Sequence, residues 1–265
     1  MKYVIDHDLH IHSNLSRCSS DPEQTPSRIL NYAAENGFKQ ICLTNHFWDE
    51  RVAGASAWYS TQDYPHIKRA LPLPQRDGIE FLFGCETELD KNLTLGISRE
   101  VIDEVDFVII PTTHMHMEGF TIEAGADLDA RALAYVRRLD AVLSMDLPFY
   151  KIGIAHLTCP HIAKASWWDH IEVIDRISDA DFERMLLRAA EVGVGIELNF
   201  SLKNYSSKES ESILRPYRIA KSLGCKFYFG SDAHDTKRLA VSRENFRLIA
   251  EALELSESDK FIIKR

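Results

Sequence analysis

The sequence predicts an α/β fold: a barrel of β/α units with a metal site at the C-terminal ends of its strands. Three observations carry this. Seven short apolar runs recur along the 265 residues. Segments of helical spacing separate them. Metal-binding residue types stand at the C-terminal end of six of the runs, in Asp8-Leu9-His10-Ile11-His12, Asn45-His46, Gly84-Cys85-Glu86, His114, Ala155-His156 and Ser231-Asp232-Ala233-His234.

The runs occupy 4–11, 39–45, 79–86, 105–112, 151–157, 193–200 and 225–231. Most lack clean alternation, as in VDFVII, YKIGIAH and VGIEL. That is the pattern of parallel strands buried on both faces. The first helix opens at Thr25-Pro26-Ser27, with a capping threonine and proline at the first helical position. Ile29, Leu30, Ala33 and Ala34 form its apolar face and Gly37 ends it. Residues 47–78, with Trp48, Trp58, Tyr59, Tyr64 and LPLPQRDG, form a long excursion between the second and third strands. It reads as a lid over the site or as a packed structural loop. Further helices are expected over 129–145, 179–192, 208–223 and 236–254. Alternating β and α over the whole length implies a parallel sheet. Seven units in a chain of this size favour a closed barrel over an open sheet. No internal repeat, low-complexity tract or linker interrupts them, so one domain is expected over 1–265.

Composition narrows the function classes. The hydrophobic fraction of 45% and charged fraction of 27% are those of an ordinary soluble globular protein. A net charge of -9 with no basic stripe argues against a nucleic-acid partner. No apolar run approaches the roughly 18 residues that span a bilayer, so no membrane partner is expected. The N-terminus turns polar within MKYVIDHDLH, unlike a signal peptide. Five cysteines without a CxxC pair suggest neither a disulfide framework nor a zinc ribbon. Cys42, Cys85 and Cys225 read as small hydrophobes in a reducing, cytoplasmic setting.

In a strand, residues two apart share a face. His10 and His12 should therefore converge, with Asp8 on their face and Leu9 and Ile11 on the other. Asp232 and His234 repeat the spacing at the end of the last strand. First and last strands adjoin in a closed barrel, so the two pairs should meet across one cavity. Imidazole and carboxylate together suit zinc, iron or manganese. Glu86 is the candidate to bridge two ions, and His46, His114 and His156 close three further strands. The C-terminal rim is where barrels carry catalytic groups. A lone histidine at a strand end is more often structural than a ligand. Six of eleven histidines at strand ends, with two matching carboxylates, outweigh that reading. His114 is preferred to His116, two residues on.

Taken together, DLHIHS, LTNH, GCETE, IAH, GIELN and GSDAH resemble, in order, the motifs of the PHP (polymerase and histidinol phosphatase) family. The resemblance implies a distorted (β/α)7 barrel, two or three divalent metal ions (zinc, iron or manganese), and hydrolysis of phosphate esters. It further implies a first metal held by His10, His12, Glu86 and Asp232. Glu86 would bridge to a second held by His114 and His156. A third would be held by His46, His234 and a ligand from the loop after His12. That loop departs from the family pattern, because Arg17 and Cys18 stand where Asp or His is common. Asp21 is favoured there over Cys18, with no ligand as the remaining alternative. Thr-Asn-His replaces the common Thr-Asp-His at Asn45.

The expected chemistry is attack of a metal-bridged hydroxide on phosphorus, with the ions neutralising the phosphoryl oxygens. Asp232 or His234 would protonate the leaving alkoxide. Arg17 and Lys203 lie at the correct end to bind a small phosphorylated substrate. Glu197 and Asn199 in GIELNFS are expected to orient ligands. Two other functions compete: metal-dependent hydrolysis of an amide or lactone, and a non-catalytic metal-binding module.

Overall fold

The computed structural model describes residues 1–163, 168–203 and 205–264. Seven parallel strands lie in sequential order: β1 (His7–Ile11), β2 (Gln40–Leu43), β3 (Glu80–Glu86), β4 (Phe107–Pro111), β5 (Ile152–Ala155), β6 (Gly195–Leu198) and β7 (Lys226–Phe229). Every strand falls inside a run expected from the sequence. The sheet closes between its first and last members. Ile11 and Ala233 form a parallel bridge. The Asp232 N–H donates to the His10 carbonyl at 2.7 Å, and the His12 N–H to that of Ala233 at 3.1 Å. The result is a nearly closed (β/α)7 barrel with flanking helices.

The helices are α1 (Pro26–Glu35), α2 (Tyr64–Ile67), α3 (Arg99–Glu104), α4 (Leu128–Ser144), α5 (Asp169–Arg176), α6 (Asp179–Val192), α7 (Ser207–Ser222) and α8 (Thr236–Ala252). Thr25 caps α1 through its side chain, as its sequence indicates. α2, α3 and α5 were not expected. They span four, six and eight residues, too few turns for a hydrophobic period to stand out. No helix among the described residues is long and apolar enough to cross a membrane.

Two apolar layers result. The outer layer joins strand residues such as Ile11, Leu43 and Val108 to the inner faces of the helices. The inner layer fills the barrel with Leu9, Cys42, Leu82, Phe107, Ile109, Ala155, Tyr228 and Phe261. Phe261 comes from the C-terminal tail and is anchored by its N–H on the Phe227 carbonyl at 2.7 Å.

One strand expectation is overturned. Leu9 packs inside the barrel and Ile11 outside, because the β1–β2 register shifts between Asp8 and Ile11. Such a bulge re-aims side chains beside a site. Asp8 therefore leaves the histidine face. Its carboxylate accepts from the Tyr32 hydroxyl on α1 at 3.0 Å and from the Ser231 N–H at 2.9 Å. Burial, opposed by these hydrogen bonds, pushes its pKa up to about 7.

Candidate metal centre

The C-terminal ends of the strands bring the histidines to one place. The bulge lets β1 present both His10 and His12 to the mouth, with their Nε2 atoms 3.0 Å apart. His46, just beyond β2, makes an isolated bridge with Glu86, the last residue of β3. His114 follows β4, and His156 follows β5 directly. His156 (φ 29°) and Asp232 (φ 49°) are non-glycine residues in the left-handed region. Both strands end there in a sharp turn that points the side chain into the mouth, and strain of this kind concentrates at functional sites.

Three groups of potential ligand atoms result, each with its atoms within 4.8 Å of one another: His10, His12, Glu86 and Asp232; Glu86, His114 and His156; and His12, Cys18, His46 and His234. Glu86 joins the first two. Its Oε2 lies 2.9 Å from His46 Nδ1, 3.3 Å from His12 Nε2 and 3.5 Å from His10 Nε2. Its Oε1 lies 3.3 Å from His156 Nε2 and 4.0 Å from His114 Nε2. The two oxygens thus face different sets of histidines, as a bridging carboxylate must.

The donor set fits divalent ions. A ligating imidazole needs its other nitrogen tied to a partner that fixes tautomer and ring orientation. His10 Nδ1 lies 2.6 Å from Glu197 Oε1, and His12 Nδ1 lies 3.0 Å from Ser16 Oγ. His114 Nδ1 meets Glu88 Oε2 at 2.8 Å, and His156 Nδ1 meets Thr113 Oγ1 at 3.0 Å. His234 Nδ1 donates to the Asp232 carbonyl at 2.8 Å. In all five residues the remaining nitrogen is left for the mouth. His46 Nδ1 and Glu86 Oε2 are buried and close, yet make no hydrogen bond.

The electrostatics follow from burial and crowding. Burial opposes charge on Glu86, but the surrounding imidazoles, led by His46 and His10, hold it well below the usual carboxylate range. Asp232 is likewise held down against burial by His10 and His234. Burial and the neighbouring His12 push His234 down to about 3. Both shifts favour the unprotonated, ligating forms of these two residues. Glu88 is pushed up to about 8 by burial, opposed by Arg138.

Several expected residues are placed elsewhere. Asp21 is not in the centre. Its carboxylate accepts from the Thr236 N–H at 3.0 Å and hydroxyl at 2.8 Å, tying the loop to the start of α8. Cys18 stands in the third group instead. The Arg17 guanidinium donates to the carbonyls of Ala57 and Trp58 at 3.3 and 3.5 Å. It braces the 47–78 excursion and lines neither cavity beside the centre. Lys203 is exposed and lines neither cavity beside the centre. His116 lines a cavity but belongs to none of the three groups. Glu197 is placed as expected, gripping His10 and also accepting from the His156 N–H at 2.8 Å. Asn199 lines a cavity.

Two cavities open onto the centre and share Asp232 and His161. One, of about 420 Å³, is walled by Trp58, Tyr59 and Met117. The other, of about 460 Å³, is lined by Phe200, Tyr205, Ile213, Asn245 and Arg238. The excursion thus supplies a wall of the first of these. The Tyr59 hydroxyl donates to Glu88 Oε2 at 3.1 Å, and Trp48 is buried beneath. Sequence reading missed Glu88 and Arg238. Glu88 shows only as the second acid of GCETE, and its burial against Arg138 of α4 is a tertiary fact.

Comparison with known proteins agrees with this architecture. The chain is 26% identical over 256 residues to a probable phosphatase of Thermoanaerobacter sp. (strain X514), covering 95% of this chain and 87% of that protein. It is 27% identical over 214 residues to a probable phosphatase of Caldanaerobacter subterraneus subsp. tengcongensis, covering 78% and 70%. Its fold is similar to the crystal structure of histidinol phosphate phosphatase from Lactococcus lactis subsp. lactis Il1403, complexed with zinc, L-histidinol and phosphate. That match has a TM-score of 0.63 and 18% identity and covers 97% of this chain and 98% of the other. The model of the PHP domain matches residues 8–201, most of the chain and all but the last of the strand ends described above, and the chain belongs to the PHP domain family.

Proposed function

We propose that this chain is a metal-dependent phosphatase that hydrolyses small phosphomonoesters. One observation carries the reading: three ligand groups meet at one barrel mouth, linked in pairs by Glu86 and by His12, with the second nitrogen of five of their six histidines already engaged. A fold that needed only packing would not bury so many ionisable groups around one point. The relatives described as probable phosphatases, and the phosphate-bound fold neighbour, support the same reading.

His10, His12, Glu86 and Asp232 would hold one ion, with Glu86 bridging to a second on His114 and His156. His46, His234 and Cys18 would hold a third. Divalent ions there supply Lewis acidity and lower the pKa of water toward neutrality. The chain's own part is to hold the ligands unprotonated and correctly turned. Glu197 does this for His10, and Glu88 for His114. Asp232 faces both cavities, so the scissile ester lies beside it. The alcohol would extend toward Phe200, Tyr205 and Asn245. Cavities of this volume suit a small molecule. Arg238 on that wall takes the anion-binding role expected of Arg17 and Lys203. The leaving alkoxide would take its proton from water in the open cavity, directly or by way of Asp232 or His234.

The test is phosphate release from p-nitrophenyl phosphate, L-histidinol phosphate and a nucleoside monophosphate, with manganese or zinc supplied. Wild type should release phosphate, a chelator should stop it, and His10→Ala should be inactive. Metal-loaded wild type that releases none from any of the three is not a small-monoester phosphatase.

A further inference from the structure

The three ligand groups at the mouth are chemically unequal. Two offer only imidazole and carboxylate. The third combines His12, His46 and His234 with the sulfur of Cys18, and contains no carboxylate. His12 is shared with the first group, so Cys18, His46 and His234 are the donors the third group has to itself. The other four cysteines stand outside all three groups. Cys42, Cys85 and Cys225 are buried in packing, and Cys159 lines the far cavity, with its thiol on Thr113 Oγ1 at 3.4 Å. Cys18 is exposed on the loop after β1. It is no isolated surface thiol. Its sulfur lies within 4.8 Å of a ligand atom of each of His12, His46 and His234, and His46 is itself more than nine-tenths buried.

Donor softness decides which ion such a group prefers. Thiolate and imidazole suit zinc, whereas manganese and magnesium favour oxygen ligands. We infer that the third position is a thiolate site in which Cys18 ligates the metal, that it takes zinc in preference to manganese or magnesium, and that the bound ion masks the Cys18 thiol. The inference rests on the metal-centre reading but adds a distinction within it: one position of the centre differs from the other two in metal choice and in its openness to thiol reagents. An enzyme loaded with manganese alone would then keep its first two positions filled and leave the third weakly held.

Cobalt(II) replaces zinc and reports sulfur ligation through a charge-transfer band in the near ultraviolet. The full chain, stripped of metal, is titrated with cobalt as wild type, Cys18→Ser, Cys18→Asp and Cys159→Ser. The band should appear in wild type and Cys159→Ser and be missing from both Cys18 variants, while visible ligand-field bands from the other positions persist in all four. Ligand-field bands without the charge-transfer band in wild type, or a band that survives Cys18→Ser, would overturn the thiolate site and leave the rest of the centre standing. Failure of wild type to bind any cobalt would overturn both. Zinc–manganese competition gives a second readout. Cys18→Asp should move the preference of one site toward manganese by on the order of tenfold or more. The third is alkylation by iodoacetamide, which zinc should slow at Cys18 and manganese at equal concentration should not. Equal rates under the two metals would reject the selectivity.

Discussion

The two ends of the barrel are built from the same seven strands and obey opposite rules. At the N-terminal end, Leu9, Leu82, Phe107, Tyr228 and Phe261 fill the interior, and small residues make room for large ones. A methyl group on Gly153 would overlap the Tyr228 ring, and one on Gly195 would press into Phe261. At the C-terminal end the small residue serves polar atoms. A methyl group on Gly230 would overlap the Glu197 carboxylate and crowd His10. One end maximises apolar contact. The other buries imidazoles and carboxylates whose desolvation only metal ligation and mutual hydrogen bonds offset. The stability of the plugged end is thus intrinsic, and that of the mouth is conditional on what binds there.

Glu86→Gln attacks the mouth most directly, because its two oxygens face different histidine sets. Phosphatase activity should fall on the order of 10³-fold, about 4 kcal/mol of transition-state stabilisation. Zinc should raise the melting temperature of wild type but hardly that of the variant, by the linkage of binding to folding. A variant that zinc still stabilises fully would break the contrast by showing that Glu86 is not a bridge. Phe107→Ala attacks the plug. It should cost roughly 3–4 kcal/mol in chemical denaturation, from lost transfer energy and a cavity. Specific activity of the folded, metal-loaded protein should stay near wild type, and zinc should stabilise it as it does wild type. Lost activity at full folding would mean that the plug positions the mouth.

The difference between the ends also explains what the sequence discloses. The strands are legible because runs such as VDFVII are buried on both faces and have few alternatives. Strand-end residues such as His46 and His156 are legible for the same reason: a strand's end fixes its place on the rim. The ligand from the loop after His12 is not. Asp21 and Cys18 are both chemically able, and the choice depends on Thr236, 215 residues away, capturing the Asp21 carboxylate. Asp8 is misread because a bulge, invisible in the residue pattern, breaks the period of two. Arg238 goes unnoticed because helix α8 carries it to the rim.

Glu197→Gln sharpens the contrast at the layer beneath the ligands. Glu197 accepts from two donors, the His10 imidazole at 2.6 Å and the His156 N–H at 2.8 Å. A glutamine offers one acceptor oxygen, so one donor loses its partner and His10 is less firmly held. Metal affinity, read by competition with a chromogenic chelator, should fall roughly 10–100-fold. An unchanged affinity would show that His10 needs no support from β6.

The smallest effect compares histidines within one strand. His7 opens β1, and His10, three residues further, belongs to the centre. His7 is buried among Tyr3 and Phe229, its Nε2 accepts from the Phe229 N–H at 3.0 Å, and its Nδ1 donates to Asp6 at 3.0 Å. It replaces a backbone acceptor at the seam between β1 and β7. Burial, opposed by Asp6, lowers its pKa below the ordinary 6.5. The unfolded chain therefore takes a proton there that the folded chain refuses. Stability from neutral His7 is present above about pH 6.5 and is lost as pH falls below it, with a limiting slope of about 1.4 kcal/mol per unit. His7→Gln keeps an acceptor for Phe229 and removes the titration. Denaturation of metal-free wild type and variant at pH 7.5 and 5.5 isolates this contribution, because the histidines of the mouth titrate in both. Wild type should lose more than the variant on acidification, by at most about 1.4 kcal/mol. Equal losses would mean that His7 protonates in place as an ion pair with Asp6, and that the seam, like the mouth, tolerates buried charge.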